Sequence, residues 1–326
     1  EISLRMEKNM AQKDVYDVII VGGGPAGLTA GIYAKRAAMD TVLIEKGVPG
    51  GQVAVTPAVE NYPGFPEIGG FELCEKFSEH AKAYDLEILQ TEVEAVEPGD
   101  DLHSVRLAGG NHVQAHALIL ATGGTARSLN IPGEQENFGK GVSYCATCDG
   151  FFFRDKVVAV IGGGDTALED ALYLSKIARK VYLIHRRDAF RGSKILQEQV
   201  FSEPQIETVL NAVVDEIKAD DNGVCSLAVR DTQTGNLQDL DCEGVFILVG
   251  FTPNKDVVPA GVQLSSNGYV VTDEKCETSI PGIFAVGDLR QKYANQIVLA
   301  AADGCTAALA CAHYVEGVKI KAKIPA

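Results

Sequence analysis

The sequence has no uninterrupted apolar run of about 20 residues, which is the length that a membrane-spanning helix needs. The nearest stretch, residues 297–315, is rich in alanine and interrupted by Asp303, which favours a buried helix. The first residues also lack the apolar core of a signal peptide. We therefore expect a cytoplasmic protein without a membrane partner, in which residues 1–14 form a disordered lead or tag.

Basic residues are too few to favour nucleic acid as a partner. The chain has 29 Lys and Arg against 44 Asp and Glu, a formal net charge of -15. Nucleic-acid binding depends on neutralising phosphates with basic side chains, so this balance argues against it, and also against an anionic membrane surface. A length of 326 residues predicts two domains rather than one.

Cysteine is sparse for a disulfide scaffold, with eight in the chain. Cys145 and Cys148 form one Cys-x-x-Cys pair, and no second such pair exists to complete a zinc site with it. If a helix begins here, its N-terminus would lower the pKa of a thiol, as in redox switches. A metal site or two incidental thiols are the alternatives. Asp149 follows, either as a proton carrier or as a carboxylate favoured by the helix dipole.

A glycine-rich motif follows the first predicted strand, Val15–Val21. It is Gly-Gly-Gly-Pro-Ala-Gly at residues 22–27, followed by a helical run and a second strand that ends at Glu45. The glycines allow a pyrophosphate to approach the helix N-terminus, and the acid can accept hydrogen bonds from a ribose diol. The pattern predicts a dinucleotide site, the alternative being a glycine-rich turn without a ligand.

The same pattern recurs 140 residues later (162 − 22 = 140), which predicts a second dinucleotide site. Here His185 replaces the acid, and Arg186, Arg187 and Arg191 follow. Guanidinium groups bind a 2′-phosphate through charge-assisted hydrogen bonds, so the copy favours NADPH over NADH. An exposed basic turn is the alternative. The helix of this copy is predicted to run to about Ala178.

The predicted fold is α/β with two Rossmann-like three-layer domains, the first discontinuous and the second inserted into it. Pro132-Gly133 and residues 251–254 mark the crossings. The predicted domains are residues 15–130 with 253–326, and residues 131–252 between them. Weak alternation over residues 87–107 predicts a small antiparallel sheet. A short strand near residue 284 brings Asp288 into a loop, as a ligand contact or a helix cap.

These motifs together resemble low-molecular-weight, NADPH-dependent thioredoxin reductases over residues 15–318. The matching segments are the glycine motifs at 22–27 and 162–167, Gly-Gly-Gln at 50–52, Glu-Asn-Tyr-Pro-Gly at 60–64, Ala-Thr-Gly at 121–123, Cys-Ala-Thr-Cys-Asp-Gly-Phe-Phe at 145–152, His-Arg-Arg-Asp-Ala-Phe-Arg at 185–191 and Ala-Val-Gly-Asp at 285–288. The chain departs from the family's usual pattern at Asn295, often arginine, and at Asp165, often Asn or Ser.

The resemblance implies a homodimer that reduces a thioredoxin. FAD would be held by Gly22, Gly24, Gly27, Glu45, Gln52, Asn61, Thr122, Asp288 and Gln296. NADPH would be held by Gly164, Asp165, Thr166, Arg186, Arg187 and Arg191. Cys148 would face the flavin, Cys145 would exchange with thioredoxin, and Asp149 would supply and take protons.

The position of the dithiol, 14 residues before the second glycine motif (162 − 148 = 14), places it in the NADPH domain. Since dithiol and nicotinamide would reach the flavin through one opening, we hypothesise that this domain swings as a rigid body on each turnover. The alternatives are a flavoprotein that uses ferredoxin or small dithiols, and a redox sensor without turnover. The three arginines speak against the former, and the dithiol with a complete second cofactor site speaks against the latter.

Overall fold

The computed structural model describes residues 14–56 and 58–323. The predicted lead therefore lies outside the described residues, apart from Asp14. The chain forms two compact units. The first unit comprises Glu1–Gly124 and Pro253–Ala326, and the second comprises Thr125–Thr252.

The helices are α1 Pro25–Arg36, α2 Gly70–Lys82, α3 Ala146–Asp149, α4 Asp165–Leu174, α5 Lys194–Ser202 and α6 Ile297–Lys323. The strands are β1 Val15–Val21, β2 Thr41–Glu45, β3 Glu87–Gln90, β4 Val93–Glu97, β5 His103–Leu107, β6 His112–Leu120, β7 Gly124–Ala126, β8 Val142–Ser143, β9 Val157–Gly162, β10 Lys180–Ile184, β11 Ile206–Val209, β12 Ala212–Asp220, β13 Gly223–Asp231, β14 Leu237–Asp241, β15 Gly244–Leu248, β16 Phe251–Pro253 and β17 Ile283–Ala285. Short 3-10 helices cover Gly51–Val55, Gly150–Phe153 and Gly287–Leu289.

The first unit is built on a seven-stranded sheet in the order β3-β2-β1-β6-β5-β4, with β17 paired to β6. Strands β1, β2, β3, β6 and β17 are joined in parallel, as a strand-helix-strand sequence requires. The antiparallel sheet predicted for residues 87–107 is therefore wrong for β3, which follows α2 and pairs in parallel with β2. Only β4 and β5 within that stretch are antiparallel.

Both faces of this sheet are buried. Alternate residues of β1 enter two cores: Val18 and Ile20 pack with α1 and α6, whereas Ile19 and Val21 pack with residues of β4 and β5. This near-continuous apolar strand is typical of a parallel sheet covered on both sides. The three-layer α/β architecture predicted from the sequence is confirmed.

Helix α6 is long and apolar enough, by length and composition, to cross a membrane. One face of it packs on α1 through small side chains that include Ala307, Ala308 and Cys311, so it contributes to the core. The helices come close at Gly304, where an added Cβ would overlap the Ala26 carbonyl oxygen and lie 3.0 Å from the Ala30 nitrogen. The helix predicted over residues 297–315 is therefore present, buried on one face and exposed on the other.

The second unit repeats this plan. Its five-stranded parallel sheet has the order β11-β10-β9-β15-β8. Val158 and Val160 of β9 pack with α4, whereas Ala159 and Ile161 pack with the three-stranded antiparallel sheet of β12, β13 and β14. Helix α4 ends at Leu174, before the predicted Ala178, because tighter turns take over at its end.

We expect Gly304→Ala to lower the free energy of unfolding by about 1–3 kcal/mol, because the new methyl group overpacks the contact between α1 and α6. Gly317→Ala on the same helix is the matched control, since nothing lies within 4 Å of a Cβ there. Helix propensity alone would raise stability by about 1 kcal/mol in the control. Urea unfolding of both variants tests this, and equal stability would contradict the close contact.

Candidate active site

The first glycine loop leaves the carboxyl end of β1. Gly22 has a φ of 109°, in the region that favours glycine, and its N–H donates to the Ile44 carbonyl at 2.9 Å. Helix α1 starts at Pro25 without a side-chain cap, and a Cβ on Gly24 would meet no atom within 4 Å. The open space beside an uncapped helix N-terminus suits a phosphate group.

Glu45 lies at the end of the neighbouring strand, β2, and contacts this loop directly. Its Oε2 accepts a hydrogen bond from the Gly23 N–H at 2.7 Å, and its Oε1 accepts one from the Gly47 N–H at 2.9 Å. The structure thus brings the acid and the glycines together, as the sequence pattern predicts. These bonds fix the carboxylate beside the loop.

Other residues predicted to bind the cofactor of the first unit form hydrogen bonds that join distant segments of the chain. Thr122, after β6, donates its hydroxyl proton to the Asn254 carbonyl at 2.6 Å. The Asn61 amide donates to Gln296 Oε1 at 3.2 Å, and the Gln52 amide donates to the Gly124 carbonyl. The structure therefore joins segments that are up to 235 residues apart in sequence.

A cluster of buried charges supports Asp288, which follows β17. Asp303 of α6 accepts from Arg290 Nη1 at 2.8 Å and from the Gly287 N–H at 3.1 Å, and it lies 3.4 Å from Lys292 Nζ. Lys292 Nζ also lies 3.3 Å from Asp288 Oδ1. That oxygen is buried and has no hydrogen bond of good geometry within residues 14–56 and 58–323. Burial raises the pKa of Asp288, and the Lys292 charge lowers it.

The second glycine loop follows β9 and leads into α4 in the same way. Gly164 caps the helix without a side-chain hydrogen bond, and a Cβ there would again meet no atom within 4 Å. Thr166 is exposed. Asp165 is also exposed, and its Oδ1 accepts a hydrogen bond from the Ser193 N–H at 2.7 Å. The carboxylate therefore supports the segment that carries Arg191.

The basic segment starts directly after β10. Arg186, Arg187 and Arg191 are exposed, and no ion pair of their side chains occurs in the described part of the chain. His185 is buried against Phe190, with ring centroids 5.5 Å apart. Burial lowers the pKa of His185, and the Arg191 and Arg186 charges lower it further. A neutral imidazole thus occupies the position of the acid, leaving the arginines unopposed.

Cys145 and Cys148 form a disulfide with Cα atoms 5.3 Å apart. Cys145 caps the N-terminus of α3, so the predicted helix start is confirmed. The segment follows β8, which pairs in parallel with β15, and therefore leaves the same edge of the sheet as the glycine loop and the arginines. Both cysteines are partly exposed, and the remaining six in the chain are free thiols.

Asp149 lies at the end of this helix and is bonded to Ser143. The Ser143 hydroxyl donates to Asp149 Oδ2 at 2.5 Å, and its oxygen accepts from the Cys145 N–H at 3.0 Å. Burial raises the pKa of Asp149, and the Ser143 hydrogen bond lowers it. A carboxyl group with a raised pKa holds its proton closer to neutral pH, which suits proton transfer to a thiolate.

Asp170 of α4 is a further acid of this region. Burial raises its pKa to about 6, and a hydrogen bond from the backbone of Ala146, the first residue of α3, lowers it. Sequence reasoning missed Asp170 and Ser143, because both act on the dithiol helix from outside the motif. It also missed Arg290 and Lys292, although an ionisable residue in an apolar helix, Asp303, was a signal for buried partners.

The chain is similar to known proteins over most of its length. Residues 16–304 match the family described as pyridine nucleotide-disulphide oxidoreductase. A thioredoxin reductase of Bacillus subtilis is 43% identical over 308 residues, 94% of this chain and 97% of that protein. A crystal structure of thioredoxin reductase from Streptococcus pyogenes has a TM-score of 0.89 and 41% identity, covering 93% of this chain and 99% of the other. A solved structure of thioredoxin reductase from Giardia duodenalis has a TM-score of 0.90 and 36% identity, covering 93% of this chain and 100% of the other.

We expect Asp170→Asn to reduce the dependence of the free energy of unfolding on pH between about pH 4 and 6. Because the pKa of Asp170 rises from 3.8 to about 6 on folding, the folded chain holds a proton that the unfolded chain releases. The stability that this proton contributes is present below pH 4 and is lost as the pH rises to about 6. The full loss is on the order of 3 kcal/mol.

Urea unfolding between pH 4 and 8 measures this difference. The asparagine side chain of the variant keeps an acceptor for Ala146 and has no charge to bury, so the variant should become more stable than the wild type above pH 6 and match it near pH 4. Glu198→Gln, at an exposed position of α5 in the same unit, is the control. Parallel profiles of wild type and Asp170→Asn would contradict the assignment.

Proposed function

The chain belongs to the family of pyridine nucleotide-disulphide oxidoreductases, and from that membership we propose that it works as a thioredoxin reductase. It transfers electrons from NADPH through FAD and the Cys145–Cys148 pair to the disulfide of a thioredoxin. The observation that carries this proposal is the closed disulfide at the N-terminus of α3, in the same unit as an unpaired arginine segment. A zinc site would require two free thiols at these positions.

The first unit fits FAD. Its glycine loop, the adjacent Glu45 carboxylate and the buried acceptor Oδ1 of Asp288 all follow carboxyl ends of parallel strands, where dinucleotides bind in open α/β sheets. Glu45 would accept hydrogen bonds from the ribose hydroxyls, and the N-terminus of α1 would hold the pyrophosphate. The remaining predicted contacts in this unit are Gly22, Gly24, Gly27, Gln52, Asn61, Thr122 and Gln296. Bound FAD would supply two-electron transfer between a nicotinamide and a disulfide.

The second unit fits NADPH. The N-terminus of α4 at Gly164 offers backbone N–H groups to the pyrophosphate, and Thr166 lies in the first turn of that helix. Arg186, Arg187 and Arg191 carry positive charge that no carboxylate in the described part of the chain neutralises by an ion pair. They would bind the 2′-phosphate that distinguishes NADPH from NADH.

The two cysteines of the pair have different roles in the proposed reaction. Bound FAD would supply two electrons to the pair on the Cys148 side; the S–S bond would then break, and the two sulfurs would take up two protons when both end as thiols. Cys145 then attacks one sulfur of the thioredoxin disulfide, which forms a mixed disulfide and releases one thiolate of thioredoxin. Cys148 attacks the Cys145 sulfur, which releases the second thiolate of thioredoxin and re-forms the Cys145–Cys148 disulfide. Asp149, with a pKa raised by burial, supplies and accepts the protons of these steps.

One constraint on turnover follows from the chain order. The dithiol and the NADPH residues belong to the second unit, whereas the FAD residues belong to the first. If both must use the flavin in turn, the second unit has to move as a rigid body between half-reactions. The segments around residues 131–132 and 251–254 are the proposed hinges.

We further propose a homodimer in a reducing cytoplasm. Six free thiols beside one local disulfide suit a reducing compartment. Val298, Leu299 and Leu309 of α6 are exposed in the single chain, and apolar side chains of this kind are commonly covered in a dimer. Sedimentation velocity of the purified protein measures the oligomeric state.

We expect the double variant Cys145→Ser/Cys148→Ser to separate the two halves of the reaction. Its flavin should still lose absorbance when NADPH is added without oxygen, because hydride transfer needs neither thiol. Reduction of a thioredoxin disulfide should fall to background. A titration with dithionite should need two electrons fewer per chain than the wild type.

Cys225→Ser is the control for this experiment, since Cys225 is an exposed free thiol of the same unit. It should behave as the wild type in all three measurements. A double variant that kept thioredoxin reduction would exclude the proposed route. A protein that bound no flavin after incubation with FAD would exclude it as well.

We expect Asp303→Asn to weaken FAD binding about ten-fold or more. The variant leaves Arg290 and Lys292 without their shared buried carboxylate, and breaking a buried pair typically costs about 3–5 kcal/mol. The Gly287–Leu289 turn would lose its anchor, and with it the position of Asp288. Equilibrium dialysis of the apoprotein with FAD measures the affinity.

The control is Glu316→Gln, which removes a carboxylate from an exposed position of the same helix. Its FAD affinity should equal that of the wild type. Wild-type affinity in Asp303→Asn would mean that the charge cluster does not position Asp288.

A further inference from the structure

The segment around Arg191 is held by its backbone on one side. The N–H of Arg191 donates to the Gly163 carbonyl at 2.7 Å, and the N–H of Gly192 donates to the same oxygen at 3.1 Å. The N–H of Ser193 donates to Asp165 Oδ1 at 2.7 Å. Three consecutive N–H groups therefore tie this segment to the second glycine loop and the first turn of α4.

The carbonyl side of the segment is held by one side chain, Gln197 of α5. Its Nε2 donates to the Gly192 carbonyl at 2.7 Å and to the Phe190 carbonyl at 3.4 Å. These two carbonyls belong to the residues on either side of Arg191, so the amide bridges the backbone across that position. The backbone of Gln197 is fixed in turn, because its N–H donates to the Ser193 carbonyl at 3.1 Å.

Packing fixes the segment further. Phe190 is buried and packs between His185 and Phe201 with tilted rings, whose centroids lie 5.5 and 5.9 Å away. The Arg191 side chain, by contrast, is exposed and has no ion pair in the described part of the chain. The backbone is therefore ordered in advance while the guanidinium group stays available, which lowers the entropy cost of binding an anion.

We propose that Gln197 is a positioning residue for cofactor selectivity: by holding the two carbonyls that flank Arg191, it aims the guanidinium at the 2′-phosphate of NADPH. The proposal rests on the proposed function, in which Arg191 binds that phosphate. Gln197 itself does not touch the cofactor in this proposal. Its loss should weaken ligands that carry a 2′-phosphate and leave those without one unaffected.

A purely structural role for Gln197 makes a different prediction. If the amide only stabilised the start of α5, its removal would weaken all adenine nucleotides equally or lower the melting temperature without changing selectivity. The ratio of affinities with and without the 2′-phosphate therefore separates the two roles.

The test uses Gln197→Leu and Gln197→Met, which keep a side chain of similar size but donate no hydrogen bond. Gln199→Leu is the matched control, since Gln199 is exposed and lies two positions further along α5. The ligands are 2′,5′-ADP and 5′-AMP, which differ by the 2′-phosphate. Binding to the flavin-loaded protein is measured by isothermal titration calorimetry, and melting temperatures show that each variant is folded.

We expect both variants at position 197 to bind 2′,5′-ADP about 5- to 20-fold more weakly, because the Arg191 backbone is then less well ordered before the anion binds. Their affinity for 5′-AMP should equal that of the wild type, and the KM for NADPH should rise while that for NADH stays constant. The control should match the wild type for both ligands.

Two results would overturn the inference in distinguishable ways. If the wild type binds 2′,5′-ADP no better than 5′-AMP, the arginines do not read a 2′-phosphate, and the assignment of NADPH fails together with the role of Gln197. If the wild type prefers 2′,5′-ADP and the folded variants at position 197 keep that preference in full, the proposed function stands and the role of Gln197 is wrong.

Discussion

The parallel pairing of strands that are buried on both faces is the constraint on which both units depend. Residues 18–21 of β1 and 158–161 of β9 send alternate side chains into two apolar cores, so a polar group placed among them would lose its contacts with water. The polar groups of the two candidate sites therefore lie where the strands end. Because parallel strands end at the same edge of a sheet, the groups that follow them lie close together in the fold.

Charged groups are used in two opposite ways at these edges. In the first unit Arg290 and Lys292 form ion pairs with Asp303, and Lys292 also pairs with Asp288, so these charges hold a turn in place inside the protein. In the second unit the arginines after β10 are exposed and lack ion-pair partners in the described part of the chain. Paired buried charge gives a rigid support, whereas unpaired exposed charge is free to bind an anion. The contrast between rigid supports and available charges thus distinguishes the residues that shape a site from those that contact a ligand.

The sequence predicted the features that local spacing controls. Three such features are the two strand-glycine-helix units, the start of α3 at the dithiol and the position of Glu45 beside Gly23. Each depends on about 25 consecutive residues, over which a strand and the helix that follows it determine each other's position. The direction of β3 was not predictable from alternation, because pairing with β2 decides it. The roles of Ser143 and Gln197 were missed for the same reason: each depends on which neighbour folding places opposite an ordinary polar side chain.

The local geometry of the dithiol also separates its redox state from the stability of the fold. The disulfide encloses only two residues, so its effect on the entropy of the unfolded chain is small compared with that of a long loop. The backbone bonds around it, from Asp149 N–H to the Cys145 carbonyl and from Cys145 N–H to the Ser143 hydroxyl, involve neither sulfur. Reduction can therefore break the S–S bond while β8 and α3 keep their hydrogen bonds. Repeated opening and closing of the pair requires a site of this kind, in which the parallel sheet rather than the disulfide holds the structure.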